Sequence, residues 1–454
     1  MAARLSQHRR VFRRSRALVA SGRHWRARLV FWLGAVAIGV VSTLFARLAD
    51  RAGEVFTGIT AGGGWHGWVP LVLTPGCFVI CALLAHRYFP GSQGSGIPQV
   101  IAARHIHDDA ERGGFLTMKI VIAKVVMTVV ALGCGASIGR EGPTVQVGAA
   151  LMLKAAKLGR LVQARGLILA GSAAGIAGAF NTPLAGIVFA IEEMSRSYSA
   201  RTNGVVLSTV IIAGIAAIAL SGNYTYFGIS QAVGHFPQDT VLVVVCGVVG
   251  GAFGAIFSAG VLAITRRIRR WRAGTAPWRV AMVALIAGLV VAVIGIAFGG
   301  MTFGSGYAQA RQVVEGHALP AGYFVAKLAV TLASTLSGIP GGLFAPSLSV
   351  GAGLGSTMGL LLGANVGLAA VLGMAGYFAG VVQAPMTAFV IIVEMTGNQD
   401  NLVPVMAASM IGYGVSRLLA PEPLYHALSR NWLADAIRKR RAAAAEGAEP
   451  APAP

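Results

Sequence analysis

Residues 143–149 read PTVQVGA and residues 346–352 read PSLSVGA, so proline, glycine and alanine recur 203 positions apart. Other identical residues recur at an offset of 202 or 203, and these pairs are Ala123-Lys124 with Ala326-Lys327, Thr128 with Thr331, Ala177-Gly178 with Ala379-Gly380, Pro183 with Pro385, and Glu192 with Glu394. Chance similarity between apolar helices is the alternative, but it does not explain why lysine, proline and glutamate keep the register. The sequence therefore predicts that one unit of about two hundred residues occurs twice.

Charged residues indicate how the two copies are oriented. Nine arginines and no acidic residue fall within residues 1–28, ahead of the first long apolar run at 29–46. In the second copy, five arginines fall within 266–272, after the apolar run at 240–265. Because basic residues mark cytoplasmic segments, we expect the two runs to cross a membrane in opposite directions. Such inverted repeats are typical of secondary transporters, which bind their substrate near the membrane midplane among broken helices.

The composition is that of an integral membrane protein. Of 454 residues, 55% are hydrophobic and only 12% are charged, whereas soluble domains carry about 25% charged residues. No Asp, Glu, Lys or Arg occurs between Lys327 and Glu394, and further uncharged runs cover 166–191 and 280–310. Roughly 18 such residues are enough to span a bilayer. The chain is therefore predicted to pass through the membrane several times.

The formal net charge of +21 does not indicate nucleic-acid binding. The two arginine runs described above, and a third basic run at 438–441, each lie next to an apolar stretch. Basic residues in such positions are typical of cytoplasmic flanks of membrane spans. We therefore predict no nucleic-acid partner, both termini in the cytoplasm, and a location in the cell (inner or plasma) membrane.

Neither cysteine nor histidine indicates a metal or cofactor. The four cysteines lie in apolar stretches without zinc spacing, so they are interpreted as core residues rather than as a disulfide or metal framework. His105 and His107 stand beside Asp108 and Asp109, but a polar loop between spans explains them better than a metal site does. No cofactor is expected.

Three segments interrupt the apolar pattern with glycine and proline: Gly94-Ser95-Gly96-Ile97-Pro98, Gly139-Arg140-Glu141-Gly142-Pro143 and Gly341-Gly342-Leu343-Phe344-Ala345-Pro346. Proline near the first helical position fits a helix start. The preceding glycines leave backbone N–H groups uncovered, and these groups with the positive end of the helix dipole can hold an anion. An anion held without a full positive charge can also be released. No segment is a nucleotide-binding loop, because Gly-x-x-x-x-Gly-Lys followed by Ser or Thr is absent.

These motifs, in this order, resemble the CLC family of chloride channels and chloride/proton exchangers. The matching motifs are GSGIP at 94–98, GREGP at 139–143, GLFAP at 342–346 and a late tyrosine in Pro423-Leu424-Tyr425, and the resemblance extends from about residue 29 to Tyr425. It implies an all-α polytopic membrane protein with the CLC-type inverted-repeat fold and many tilted and re-entrant helices. It also implies a homodimer with one pathway in each subunit.

The resemblance also gives the expected boundaries. They are a basic cytoplasmic segment 1–28, a first membrane repeat 29–222, a second, inverted repeat with the final helix 223–430, and a short cytoplasmic tail 431–454. The Ala/Pro/Glu-rich tail is predicted to be disordered. Only about thirty residues follow Tyr425, so the resemblance is to the prokaryotic type without the paired nucleotide-binding CBS domains of many relatives.

The resemblance assigns roles to individual residues. The hydroxyls of Ser95 and Tyr425 and the backbone N–H groups of Leu343 and Phe344 are expected to surround a central chloride. Glu141 is expected to be the gating glutamate, whose carboxylate occupies an outer anion site when ionised and leaves it when protonated. A carboxylate and chloride compete for the same helix N-termini, and protonation removes the attraction.

Further motif positions are expected to support this site. Arg140 is expected to line the outward anion path. The supporting positions of the three motifs are Gly94, Gly96, Pro98, Gly139, Gly142, Pro143 and Gly342.

Glu193 favours exchange over passive conduction. In the exchangers that the chain resembles, a glutamate at the place of Glu193 receives protons from the cytoplasm, whereas channels usually carry a non-titratable residue there. Lys124 matches a lysine that neighbours this glutamate, and we expect the two to pair because a buried carboxylate needs a partner. Glu192 has its repeat mate in Glu394, so both are interpreted as structural residues that cap or pair within the fold.

The resemblance therefore implies a chloride/proton antiporter rather than an enzyme, with chloride, protons and the lipid bilayer as its partners. Ser95 indicates chloride, because proline in that place is associated with nitrate. Gln99 is a departure, since glutamate often follows GSGIP in relatives. The alternatives are a passive voltage- or pH-gated chloride channel of the same fold and a non-transporting membrane scaffold or sensor. Flux measurements separate the three.

Overall fold

The computed structural model describes residues 22–446 except for 63, 107, 109–111, 160–163, 196–199, 223–224, 231, 236 and 273–275. Seventeen α-helices lie in this part of the chain, and no strand does. The helices are α1 (Gly22–Thr60), α2 (Pro70–Arg87), α3 (Ile97–His105), α4 (Met118–Leu132), α5 (Glu141–Gly159), α6 (Ala164–Phe180), α7 (Pro183–Phe189), α8 (Ala200–Ser221), α9 (Thr240–Trp271), α10 (Pro277–Ala297), α11 (Tyr307–Val314), α12 (Tyr323–Leu336), α13 (Phe344–Leu362), α14 (Val366–Val382), α15 (Pro385–Thr396), α16 (Leu402–Leu419) and α17 (Leu424–Glu446). The predicted all-α fold is confirmed.

Helices of two kinds build the molecule. Seven helical stretches among the described residues are long and apolar enough to cross a membrane, and the longest are Arg28–Thr60 and Thr240–Trp271. Others are apolar but only 10–17 residues long. At 1.5 Å per residue they reach at most about 25 Å, which is less than the roughly 30 Å of a bilayer core. They therefore end at membrane depth, where exposed backbone is tolerated only when protein surrounds it.

The two halves pack in the same way. A Cβ on Gly171 of α6 would lie 2.3 Å from the carbonyl oxygen of Gly148 on α5. In the second half, a Cβ on Gly373 of α14 would lie 2.5 Å from the carbonyl oxygen of Gly351 on α13. Small residues allow membrane helices to approach this closely. The sequence repeat is therefore also a repeat of helix packing.

Glu192 and Glu394 tie the two halves together. The Glu192 carboxylate accepts hydrogen bonds of 2.6 and 3.1 Å from two N–H groups at the start of α15. The Glu394 carboxylate accepts bonds of 2.8 and 3.1 Å from two N–H groups at the start of α7. A carboxylate satisfies the first N–H groups of a helix and complements its dipole. The interpretation of both residues as caps is confirmed, and each caps a helix of the opposite half.

The C-terminal helix is longer than the sequence suggested. Residues 431–446 of the tail predicted to be disordered are helical in α17, whereas 447–454 lie outside the described residues. The last turns are rich in alanine and arginine, which have high helix propensity. In addition, Arg269 of α9 donates two hydrogen bonds of 2.9 and 3.0 Å to the Asp435 carboxylate. Composition alone did not reveal this contact. Residues 1–21 of the predicted basic segment also lie outside the described residues.

The cysteines lie where the sequence analysis placed them. Cys77, Cys81 and Cys246 are buried, Cys134 is partly buried, and all four are free thiols. Within the described residues, no group of three or more His, Cys, Asp or Glu side chains is arranged to hold a metal ion. His105 Nδ1 lies 2.8 Å from the carbonyl oxygen of Ile101 in its own helix, whereas residues 107 and 109 lie outside the described residues.

Candidate functional site

The three glycine-proline segments converge at the centre of the molecule. Gly94 N–H donates to Ile339 O at 3.0 Å, and Gly341 N–H donates to Gly94 O at 3.2 Å. Gly139 and Gly342, which are repeat mates, exchange two N–H···O bonds of 2.7 Å each. The segments then lead into α3, α5 and α13, so three helix N-termini meet in one region. Their first N–H groups lack partners within the helix, and the positive dipole ends make this region favourable for an anion.

Glu141 places its carboxylate at this meeting point. It is the first residue of α5 and is fully buried. Its carboxylate interacts with the backbone N–H groups of Arg140, Glu141 and Ala345, although no contact is short and straight enough for a full hydrogen bond. A Cβ on Gly139 would lie 2.1 Å from Glu141 Oε2, so only glycine leaves room for the carboxylate in this position. The carboxylate therefore occupies the space between the starts of α5 and α13.

Two buried hydroxyls lie near this carboxylate. The Ser95 and Tyr425 hydroxyls are close enough to interact, and Tyr425 also interacts electrostatically with Glu141 and Glu193. In the described part of the chain, neither hydroxyl makes a hydrogen bond of good geometry to another protein atom. Buried polar groups are normally hydrogen-bonded. The pair can therefore donate to an anion between them.

Phe344 fixes the start of α13 beside these hydroxyls. Its ring lies 4.9 Å from the Phe378 ring, 6.0 Å from the Phe189 ring and 5.9 Å from the Tyr425 ring, measured between centroids. Aromatic pairs at such distances favour edge-to-face and offset geometries and add to burial. Leu343 precedes the helix and is also buried. The packing holds the Leu343 and Phe344 backbone beside the Tyr425 ring.

An outer cavity of about 950 Å³ reaches Glu141. Its wall includes side chains of the C-terminal half of α1, and its polar and aromatic lining residues include Arg47, Asp50, Glu54, Arg140, Tyr226, Ser305 and Tyr307. Arg140 is buried and donates from Nη1 to Asp50 Oδ1 and to Ala46 O, both at 2.6 Å. Its guanidinium lies 5.6 Å from the Tyr226 ring centroid. The buried Arg140 guanidinium, paired with Asp50, therefore lines the cavity that reaches Glu141.

Glu193 lies on the π-helix Ala190–Ser195 that follows α7. Its side chain is 1% exposed, and His426 Nε2 lies 3.8 Å from its Oε1 and 2.9 Å from its backbone oxygen. Residues 425 and 426 are neighbours in α17. This helix therefore contributes Tyr425 to the hydroxyl pair with Ser95 and places His426 beside Glu193. The sequence analysis missed His426, although its position directly after Tyr425 was a signal that could have identified it.

Lys124 does not pair with Glu193, so that prediction was wrong. The fully buried ammonium donates to Gly94 O at 3.0 Å and forms no ion pair with any carboxylate in the described part of the chain. Its repeat mate Lys327 donates to Thr302 O and Gly304 O, both at 2.8 Å. Each lysine therefore bonds to a glycine-rich loop in its own half. Backbone carbonyls satisfy a buried ammonium in place of a carboxylate, and sequence spacing does not distinguish the two.

Comparison with known proteins agrees with this geometry. The sequence profile described as "Voltage gated chloride channel" matches residues 77–417. The H(+)/Cl(-) exchange transporter ClcA of Yersinia pestis bv. Antiqua (strain Angola) is 32% identical over 410 residues, covering 84% of this chain and 82% of the relative. The crystal structure of a slow cyanobacterial Cl⁻/H⁺ antiporter superposes with a TM-score of 0.78 at 22% identity, covering 90% of this chain and 98% of that one. A CLC-type fluoride/proton antiporter gives a TM-score of 0.72 at 23% identity, covering 89% and 99%.

Proposed function

Because the chain belongs to the voltage gated chloride channel family, we propose that it is an antiporter that exchanges chloride for protons. The relatives named H(+)/Cl(-) exchange transporter support this proposal, since the chain covers most of their length. The observation that carries it is that two buried glutamates, Glu141 and Glu193, both interact electrostatically with the Tyr425 hydroxyl. A passive channel needs only the first glutamate, whereas exchange needs a proton acceptor on each side.

Glu141 is the gate in this proposal. When ionised, its carboxylate is attracted to the starts of α5 and α13 and excludes chloride from the same N–H groups. When protonated, it loses that attraction, and chloride from the outer cavity takes its place. Arg140 raises the local chloride concentration at the cavity's inner end. The same carboxyl group thus controls the anion path and carries the proton.

The central chloride lies between the hydroxyls of Ser95 and Tyr425 and the backbone N–H groups of Leu343 and Phe344. All four donors are neutral, so binding is weak enough to allow release. Serine at this place supports chloride as the preferred anion. Protons reach the other side of this site at Glu193, and they cross to Glu141 by way of the Tyr425 region.

The basic ends of α1 and α9 support the proposed orientation. In this proposal, the protein lies in the cell membrane with the start of α1 and the end of α9 facing the cytoplasm, because basic residues favour the cytoplasmic side. The outer cavity is at the C-terminal end of α1 and therefore opens to the outside. Glu422 and Asp435 of the α17 region contact Arg266 and Arg269 at the end of α9 and lie on the cytoplasmic side.

The homodimer is also part of the proposal. Helices α8, α7, α15 and α16 pack in sequence, so both halves contribute to one face. Large apolar side chains exposed on this face are Leu184, Leu207, Ile211, Ile215, Met386, Leu402, Met406 and Met410. A second copy that covers this face buries apolar surface from both repeats. The mass of the protein in detergent, measured by light scattering, tests this assembly.

Proton movement in sealed vesicles tests the exchange function. Purified protein is reconstituted, a chloride gradient is imposed, and potassium with valinomycin clamps the voltage so that leak cannot drive protons. We expect uphill proton movement that stops in Glu193→Gln while chloride flux continues. Chloride flux without proton movement in the wild type would make the protein a passive channel. Absence of both fluxes would favour a non-transporting membrane protein.

A further inference from the structure

His426 lies beside Glu193 and is the more exposed of the two residues. The Glu193 side chain is 1% exposed and the His426 side chain is 17% exposed, so His426 is the more accessible of the two. Residues on both sides of His426 in the chain contact the basic end of α9, because Arg266 lies 2.5 Å from Glu422 and Arg269 lies 2.9 Å from Asp435. A proton that moves from the cytoplasm toward Glu193 therefore meets the imidazole first.

The π-helix explains why an imidazole is held at this place. A π-helix shifts the hydrogen-bond pattern of the backbone, and such segments are frequent at functional sites. At its end, His426 Nε2 bonds to Glu193 O at 2.9 Å, and Arg104 donates to Met194 O. Two side chains from α17 and α3 thus satisfy successive carbonyl groups. The bond to Glu193 O orients the imidazole, and the same nitrogen lies 3.8 Å from Glu193 Oε1.

We propose that His426 transfers protons between cytoplasmic water and the Glu193 carboxylate. This inference rests on the proposed antiport function. The imidazole takes a proton from water at Nδ1 and gives the Nε2 proton to Glu193 Oε1, which yields a neutral imidazole and a carboxylic acid. Loss of the Nδ1 proton to water and protonation of Nε2 restore the starting tautomer. No electron transfer or other reactant is involved.

Geometry and charge both favour this transfer. The Nε2 to Oε1 distance of 3.8 Å must shorten by about 1 Å to reach hydrogen-bond range, which a side-chain rotation can provide. Imidazole is the side chain that most readily gains and loses a proton near neutral pH. Glu193 on the π-helix faces the imidazole, Arg104 of α3 donates to the neighbouring Met194 carbonyl oxygen, and Tyr425 precedes His426 in α17. The negative charge of an ionised Glu193 carboxylate attracts the proton that the imidazole carries.

A structural role is the competing explanation, since His426 could act only by bonding to Glu193 O. His426→Gln separates the two roles, because an amide N–H can bond to a carbonyl but cannot relay a proton at neutral pH. We expect this variant to keep chloride flux within about twofold of the wild type and to lose proton transport by about tenfold or more. His317→Gln, which changes an exposed histidine in the turn after α11, is the matched control and should keep both fluxes.

Chemical rescue is the second measurement. His426→Ala opens space beside Glu193, and imidazole added to the buffer should restore at least a third of the lost proton transport. Protein-free vesicles and vesicles with Glu193→Gln measure the leak that imidazole itself causes. Normal proton coupling in both His426→Gln and His426→Ala would overturn the inference. It would also be overturned if His426→Gln couples normally while His426→Ala loses proton transport that imidazole does not restore. If the wild type moves no protons, the proposed function fails first, and the inference fails with it.

Discussion

The Ser95 hydroxyl lies directly against Gly142, because a Cβ on Gly142 would stand 2.2 Å from Ser95 Oγ. Only glycine allows α5 to approach the first glycine loop this closely. We expect Gly142→Ala to displace the hydroxyl and to weaken chloride binding about tenfold, since a hydrogen bond to an ion contributes roughly 1.5–3 kcal/mol. Isothermal titration of the purified protein with chloride measures this effect.

Gly260→Ala is the control for that change. Gly260 also lies in a long helix, but a Cβ there would meet no atom within 4 Å. The chloride affinity of the Gly260→Ala variant should equal that of the wild type. Unchanged chloride affinity in Gly142→Ala would show that Ser95 does not bind the ion.

Glu141→Gln should separate the two fluxes. The amide fills nearly the same volume at the start of α5. It does not take up or release a proton near neutral pH, and it has no negative charge that would attract it to the anion site. We expect chloride flux to continue and proton movement to fall below detection in the vesicle assay. Chloride-driven proton uptake that persists in this variant would contradict the gating role.

Loss of charge at Glu192 or Glu394, which each cap a helix of the opposite half, should reduce stability without uncoupling transport. Glu192→Gln and Glu394→Gln keep an acceptor for the N–H groups of α15 and α7 but lose the negative charge beside each helix start. We expect each change to cost about 1 kcal/mol, as measured by thermal unfolding in detergent. The ratio of protons to chloride should stay that of the wild type. A lost proton flux in Glu192→Gln would show that this residue belongs to the proton route.

The two buried lysines provide a matched pair. Lys124 bonds to the loop that carries Ser95, whereas Lys327 bonds to the equivalent loop of the other half. Lys124→Met should therefore weaken chloride binding several-fold, because Gly94 O loses one of its two donors and the loop shifts. Lys327→Met should lower the free energy of unfolding by about 1–3 kcal/mol, with little effect on chloride affinity. Equal losses of affinity in both variants would show that Lys124 has no specific effect on the site.

The repeat and the anion-binding segments were readable from the sequence because they depend on local features. The offset of 203 between Lys124 and Lys327 is visible without coordinates, and in the structure both lysines bond to glycine loops. Glycine followed by proline predicted where α3, α5 and α13 begin, since proline tolerates the first helical turn and little else. The resemblance then identified Glu141 and Glu193 as the carboxylates to examine.

Contacts between residues far apart in the chain could not be predicted from the sequence. His426 and Glu193 are separated by 233 positions, and no periodicity connects them. The Lys124 pairing was predicted wrongly because the sequence did not show that backbone carbonyls lie within reach of the ammonium. Disorder after residue 430 was predicted from composition, which contains no information about the contact between Asp435 and Arg269.

The sequence by itself determined a duplicated, inverted membrane protein and the three helix starts that favour an anion, because hydropathy, charge bias and glycine-proline spacing are properties of short segments. Only the tertiary structure decided which half each glutamate caps, which loop each lysine holds and which side chain contacts Glu193. Those contacts depend on how the helices of the two halves pack against each other. A hydrogen bond or proton transfer requires two groups to lie within a few ångströms, and that distance is fixed only when helices from both repeats pack together.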